Sequence, residues 1–318
     1  LEFVFYNFKR PFINLNFLRK LLFNIFFTKK KIYTRDIEYA LIASIFRLKV
    51  IFEIHHFGLI RNSTKYYILK RFILYFLSKS KFVRFVVLTH HCGRALNYLY
   101  PNIGQKRIYI IPDAGFFNNF INKNKVSRNI FIKDHLRKIT LSYAGSFLPG
   151  KGGLETIYLA DNLKQYQFNL AGNLDQNFKS KIKTMDNITF FGYLNDNDLN
   201  YFYQQSDILL APIGKRIFLD KHFKNEITFY TSPLKLYEYF FTGKPIITFD
   251  RPCTRSFRNM PGVWFVKKDK ENCFNTWNKL INEVNFYISK INENDILKLR
   301  QNYRLTWQNR INEMIRIK

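Results

Sequence analysis

Cysteine is scarce: Cys92, Cys253 and Cys273 are the only three in 318 residues, and no two form a CxxC pair. That excludes a disulfide framework and a cysteine-built zinc site, and it points to a reducing compartment, the cytoplasm. Acid is scarce too, with 23 Asp and Glu against 51 Lys and Arg. No uninterrupted apolar run reaches the ~18–20 residues a membrane-crossing helix needs. No signal peptide with a cleavage site is expected from these residues. Neither HExxH, GxSxG nor GxGxxG occurs, so the common metalloprotease, hydrolase-elbow and dinucleotide fingerprints are missing. The chain opens at Leu1 within an apolar, aromatic run, and the expectation is that its true N-terminus is missing.

What the chain does carry is aromatic and basic. It has 35 Phe, 20 Tyr and 47% hydrophobic residues, enough for real cores. The excess of Phe, Tyr, Ile, Asn and Lys with only 13 Gly resembles the coding bias of an A/T-rich genome, which inflates both signals. A net charge of +28 favours an anionic partner: nucleic acid, an anionic membrane or a phosphorylated substrate. The lysines are spread along the chain and no nucleic-acid motif accompanies them, so a nucleic-acid-binding role is the weaker reading. The length suggests two domains.

Strand and helix patterns alternate twice. The first series has short strands at KIYT, KVIFEIH, FVRFVVL and RIYII, with helices over residues 35–48, 64–79 and 91–99 between them. A strand at 1–6 and a basic, apolar helix at 11–27 precede it, the latter suited either to lying on an anionic bilayer or to packing on a sheet with its lysines in solvent. Residues 118–135 are polar and unpatterned and read as a linker. The second series has strands at ITLSYAG, QFNLA, ITFF, DILLAP, IITF and GVWFV. A 19-residue connection, 213–231, precedes the stretch TSPLKLYEYFFTGKPIITFD, and residues 272–318 are largely helical. This alternation predicts an α/β chain of two doubly wound, Rossmann-like domains facing across a cleft. The expected division is residues 1–135, 136–295, and a last helix, 296–318, returning to the first domain.

Two stretches carry chemistry. In TSPLKLYEYFFTGKP, Ser232 reads as the N-cap of a helix, Pro233 as its first residue, and Gly243 and Pro245 as its stop. Such a helix start attracts anions, and Lys235 adds a cation there. Glu238 shares the face of Leu234 and Lys235 and is placed to accept from ribose hydroxyls. An ordinary capped surface helix with a salt bridge fits the same residues. In GSFLPGKGG, Gly145, Lys151 and Gly152 form a glycine loop that could cradle phosphate; it is not a P-loop, because Gly152 stands where Ser or Thr is needed. His55 and His56 end one strand and His90 and His91 follow another. They are either sugar- or phosphate-facing groups or hydrogen-bonded loop residues, and their spacing does not argue for a metal. Cys92 beside His91 reads as a structural thiol rather than a nucleophile.

Together these stretches resemble the family 4 glycosyltransferases of GT-B fold over roughly residues 31–270. YAGSFLPGKGG is similar to the first strand and lysine loop of that family's nucleotide domain, and FNLAGN and ITFFGYL to its next strand ends. SDILLAP and SPLKLYEYFFTGKPIITFD are similar to its donor-binding segment. VIFEIHHFG and VVLTHHCGRAL match the first domain more loosely. The resemblance implies retaining, hexosyl-type transfer from a nucleotide-diphosphate sugar to a glycan or lipid-linked acceptor, with no essential metal. It implies that Lys151 contacts the diphosphate and that backbone groups of Ser232, Pro233 and Leu234 face the phosphates. It also implies that Glu238 holds the ribose, that His55 sits at the donor sugar, and that Phe191, Gly192 and Tyr193 lie near the base. Two positions depart from the pattern: Tyr230 stands where many members have a glutamate, and Ser146 where they often have a cation. The family's first strand, glycine loop and helix have no counterpart.

Overall fold

The computed structural model describes residues 23, 31–55, 67–116, 138–223, 226–267, 272–291 and 293–317. The strand expected at 1–6, the helix at 11–27 apart from Phe23, His56 and the linker at 118–135 lie outside them. The chain divides into two compact units, one comprising Leu1–Pro112, Phe229–Ser232 and Arg310–Lys318, the other Asp113–Thr228 and Pro233–Asn309.

In the first unit, strands β1 (Ile32–Thr34), β2 (Val50–Ile54), β3 (Val83–Val87) and β4 (Ile108–Ile110) stand side by side in chain order, all parallel. Helices α1 (Ile37–Ile45), α2 (Tyr67–Lys79) and α3 (His90–Leu99) connect them, as parallel neighbours require. Strand side chains alternate between faces. Val50, Phe52 and Ile54 join Val83, Phe85 and Val87 in a core with Leu74 and Leu77 of α2. The other face puts Ile51, Val86 and Ile111 against Met314 of the last helix and Ile317 just beyond it. α3 starts where the sequence allows a cap, with Thr89 Oγ1 accepting from Cys92 N at 3.1 Å.

The second unit contains strands β5 (Thr140–Ala144), β6 (Gln167–Ala171), β7 (Ile188–Gly192), β8 (Ile208–Ala211), β9 (Ile246–Phe249) and β10 (Val263–Val266). They form one parallel sheet in the order β10-β9-β8-β5-β6-β7. The helices are α4 (Gly153–Asn162), α5 (Gln176–Ile182), α6 (Asp196–Gln204), α7 (Leu234–Phe240), α8 (Phe274–Lys290) and α9 (Glu293–Gln301). The final helix, α10 (Trp307–Arg316), bridges the sequence boundary of the two units. One face of the sheet packs Leu141, Tyr143, Phe168 and Leu210 with Ile157 of α4 and Trp277, Ile281 and Val284 of α8. The other packs Ala171, Leu209 and Ala211 with Phe202 of α6 and Leu236, Tyr239 and Phe240 of α7. Covered on both sides, the strands read as continuous apolar runs, as buried parallel strands do.

The helix carrying Lys235 and Glu238 begins one residue later than its sequence predicts. Pro233, not Ser232, is the N-cap; its ψ of 81° is not helical, so it cannot be the first helical residue. The far end follows the sequence: Gly243 has φ 78° and Pro245 prevents resumption. The long connection from 213 to 231 is partly structured. Phe218 and Glu226 form an antiparallel bridge, and Ile213, Ile217 and Ile227 bury themselves with Cys253.

Candidate functional site

The order of the second sheet reverses beside β5. The chain runs from β5 outward through β6 and β7, then returns to place β8 on the other side of β5 and runs outward again. Connections leaving two neighbouring strands in opposite directions open a crevice at their C-terminal ends, where ligands of such folds bind. The glycine loop leaves β5 at this point, and a Cβ on Gly152 would lie 3.4 Å from Cδ of Pro212, the residue after β8.

Three strand ends here are glycine. Gly145 N donates to Ala171 O at 2.9 Å and Gly172 N to Gly192 O at 2.7 Å. A Cβ on Gly172 (φ 138°) would sit 2.0 Å from Gly145 O, so only glycine lets the backbones approach. Gly150 is equally constrained: with φ 76°, its Cβ would fall 1.7 Å from Arg216 O, where the long connection folds over the loop. Tyr143 fixes the loop from below. Its hydroxyl lies 2.6 Å from Ser146 O and 3.1 Å from Lys151 O as donor. Glu155 Oε2 accepts from Gly152 N at 3.0 Å and closes the start of α4.

α7 is pinned against the same strand end. Tyr239 Oη accepts from Ala144 N at 2.8 Å and donates to Ala144 O at 3.2 Å. This sets the rotation of α7 and brings Lys235 over the loop. The Lys235 ammonium lies 3.4 Å from the centre of the Tyr143 ring and donates to Lys151 O at 3.3 Å. At Gly145 (φ 145°), a Cβ would come within 2.8 Å of Lys235 Nζ. At the other end of α7, Arg300 donates to Phe240 O, Pro261 O and Gly262 O at 2.8–2.9 Å.

The charges are strained in a consistent direction. Burial pushes the Lys235 ammonium well below its ordinary value; Glu238 and Glu155 oppose the shift and Lys151 adds to it. Burial also lowers Lys151. Glu238 is raised, first by burial and then by Asp196, with Lys235 pulling it down. Two cations and a carboxyl are thus desolvated together, and the negative charge of Glu238 and Glu155 does not offset what burial takes from Lys235. An anionic ligand would add negative charge beside the lysines, and hydroxyl groups would offer donors to Glu238. Among the described residues no group of three His, Cys, Asp or Glu could hold a metal ion.

Gly145, Lys151, Gly152, Lys235 and Glu238 are therefore brought together, with Leu234 opening α7. Gly192 joins them through the row of strand ends. Phe191 points elsewhere along β7: with Leu194, Asp198 and Tyr201 it lines a groove of about 660 Å³ over Gln167 and Asn169. Tyr193 is 77% exposed. Pro233 and Ser232 are buried, and Ser232 is counted with the first unit.

His55 belongs to the first unit, where its Nε2 lies 2.7 Å from Glu53 Oε1. Glu53 is the residue sequence reading passed over. Its side chain is fully buried on β2 and meets Arg310 at 2.9 Å, Arg35 at 3.2 Å and the Tyr33 hydroxyl. Burial raises this carboxyl, but His55, Arg310, Arg35 and Tyr33 overcome it and hold the group at about 2. The signal was an acid inside the apolar strand KVIFEIH, since a buried acid demands cations. Tyr143 and Tyr239 were missed as well, hidden among 20 tyrosines. The Cys92 thiol is buried, raised by that burial, and lies 3.7 Å from Tyr230 O, a structural position.

Solved structures share this architecture across nearly the whole chain. Sucrose-phosphate synthase from Thermosynechococcus elongatus superposes with a TM-score of 0.62 at 13% identity, covering 93% of this chain and 74% of that one. HepE from Anabaena in complex with UDP-glucose gives 0.60 at 11% identity, covering 94% and 80%. Its complex with UDP gives 0.59 with the same identity and coverage. The fold is GT-B. Within it, residues 140–283 match the family model described as glycosyl transferases group 1, a span that holds Gly145, Lys151, Gly152, Lys235 and Glu238. A sequence search of curated proteins matches none.

Proposed function

We propose that the protein is a retaining glycosyltransferase of family 4, moving a sugar from a nucleotide-diphosphate donor to a glycan or lipid-linked acceptor in cell-surface glycan synthesis. The observation that carries this is the convergence of Lys151, Lys235 and Glu238 among glycines at the switch point of the second sheet. In this reading Lys151 and Lys235 bind the diphosphate, assisted by backbone groups from Ser232 to Leu234. Glu238 accepts from the ribose, residues 191–193 lie near the base, and His55 meets the donor sugar. As the glycosidic bond breaks, negative charge grows on the leaving diphosphate, and preformed cations stabilise it there. The lysines supply this charge without a metal. The basic composition fits work at the inner face of the cytoplasmic membrane.

A thermal-shift screen of UDP-, GDP- and ADP-sugars tests the site. Uridine nucleotides come first, because HepE is solved with UDP and UDP-glucose. One nucleotide class should stabilise the wild type, by about 3 kcal/mol at a hundredfold excess over Kd. Glu238→Ala should lose most of that shift. If no nucleotide stabilises the wild type, the donor site is wrongly assigned.

A second reading, a nucleotide-sugar-binding relative without transferase activity, rests on Tyr230. Its ring packs against the core of the first unit, so the position offers no carboxylate to a sugar. Product formation or donor hydrolysis by the purified protein would exclude it.

A further inference from the structure

Helix α2 (Tyr67–Lys79) is apolar on two sides. Ile73, Leu74 and Leu77 face the core of the first unit. The opposite side carries Ile68, Leu69, Phe72, Tyr75 and Phe76, which are 82%, 54%, 58%, 41% and 48% exposed. Positions 68, 72, 75 and 76 follow helical spacing and make one continuous stripe. The rings of Phe72 and Phe76 meet edge to face at 4.7 Å, so the stripe is a packed apolar surface rather than scattered side chains. Ile45 and Phe46, at the end of α1 that packs on α2, are also exposed, at 66% and 48%. A helix resting on a sheet normally turns polar residues outward. A contiguous apolar face of this kind marks an interaction surface.

The charge around it is mostly positive. Residues 54–112 hold ten Lys and Arg and not one Asp or Glu. Arg71, Lys79 and Lys81 are exposed and Lys70 partly so. Lys79 Nζ stands 4.3 Å from the centre of the Tyr75 ring, beside the stripe. Asp36, at the start of α1, feels Lys70.

We infer that the outer face of α2 docks the first unit on an anionic lipid bilayer. The helix lies in the plane of the interface, its aromatic and aliphatic side chains below the headgroups and its cations at the lipid phosphates. No described helix is long and apolar enough to cross a membrane. A nucleic acid would use the cations and stack on the rings, but it offers no burial to Ile68 and Leu69. A second copy of the chain would bring two basic faces together, which like-charge repulsion opposes. The inference deepens the membrane contact named above and is independent of the donor site.

Cosedimentation of the full chain with phosphatidylcholine vesicles, with and without phosphatidylglycerol and at low and high salt, tests it. The protein should pellet with the anionic vesicles and be released by salt. Phe72→Ser/Phe76→Ser should abolish pelleting. Lys70→Gln/Arg71→Gln should weaken it roughly twenty-five-fold at low salt, taking about a factor of five per cation. Thermal melting and any nucleotide shift should remain as in the wild type, which shows that the variants fold. Equal pelleting of variants and wild type would overturn the inference, since the contact would then lie elsewhere on the chain. So would a dimer in sedimentation velocity that Phe72→Ser/Phe76→Ser dissociates, or salt-sensitive RNA binding without vesicle binding. Loss of pelleting in the variants together with no nucleotide shift in the wild type would uphold the docking face and sink the donor reading instead.

Discussion

Lys235 is the residue on which the proposed donor site turns. Its ammonium is stacked on Tyr143, bonded to the Lys151 carbonyl and desolvated, which depresses it well below the ordinary lysine value of 10.5. An anion bound beside it stabilises the charged form and raises it again. Nucleotide diphosphate binding should therefore take up protons. Calorimetry of UDP binding in buffers of different ionisation enthalpy should show that uptake, and Lys235→Met should remove it and weaken binding at least tenfold. Affinity should fall as pH climbs toward 10.5, because the lysine then discharges more easily. A binding enthalpy independent of buffer throughout that range would show that Lys235 is not at the anion. Nothing near Lys235 in sequence foretells this; the cation is visible in SPLKLYEYF, but the ring it lies over is that of Tyr143, ninety-two positions earlier.

Elements are held by buried ionic side chains reaching far along the chain. Glu53 ties β2 to α10 through Arg310, 257 residues away. Its folded value of about 2 lies below the ordinary 4.5. The carboxylate therefore contributes stability that is fully present above pH 4.5 and is lost as pH falls toward about 2. The shift corresponds to about 3 kcal/mol. Glu53→Gln should cost about that much at neutral pH, leaving Arg310 buried without its charge partner. Denaturant unfolding should show the gap between variant and wild type closing in acid; a gap independent of pH would mean that packing, not charge, is what was lost. Arg300 plays a comparable part for α7, satisfying three carbonyls at and beyond its C-terminal end. Arg300→Met leaves those groups buried without their donor and should cost about 3 kcal/mol or more. Because α7 carries Lys235 and Glu238, nucleotide affinity should fall with it, which titration of the folded variant would measure. Helix α7 itself was legible from Gly243 and Pro245 at its end, less so at its start, where Pro233 caps rather than begins it. The anchors at both its ends were not legible, since neither Arg300 nor Tyr239 differs in local pattern from other arginines and tyrosines of this chain.

For the whole molecule, sequence determined what depends on short-range periodicity and on residue type. The strands of both units, the alternation that makes two parallel sheets, the glycine loop after β5 and the excess of positive charge all follow from residues within a few positions of one another. Backbone sterics and burial on both faces permit few other readings of such segments. Tertiary structure alone decided strand order, and with it the switch point beside β5 where Lys151 and Lys235 meet. It decided that Glu53 would find Arg310, that Tyr143 and Tyr239 would clamp the loop and helix, and that α2 would keep an apolar face outside its core. Each of these is set by which distant groups share a desolvated space. A linear pattern encodes the side chains but not the dielectric around them, and it is that environment which sets the charge state of the one lysine and one glutamate on α7.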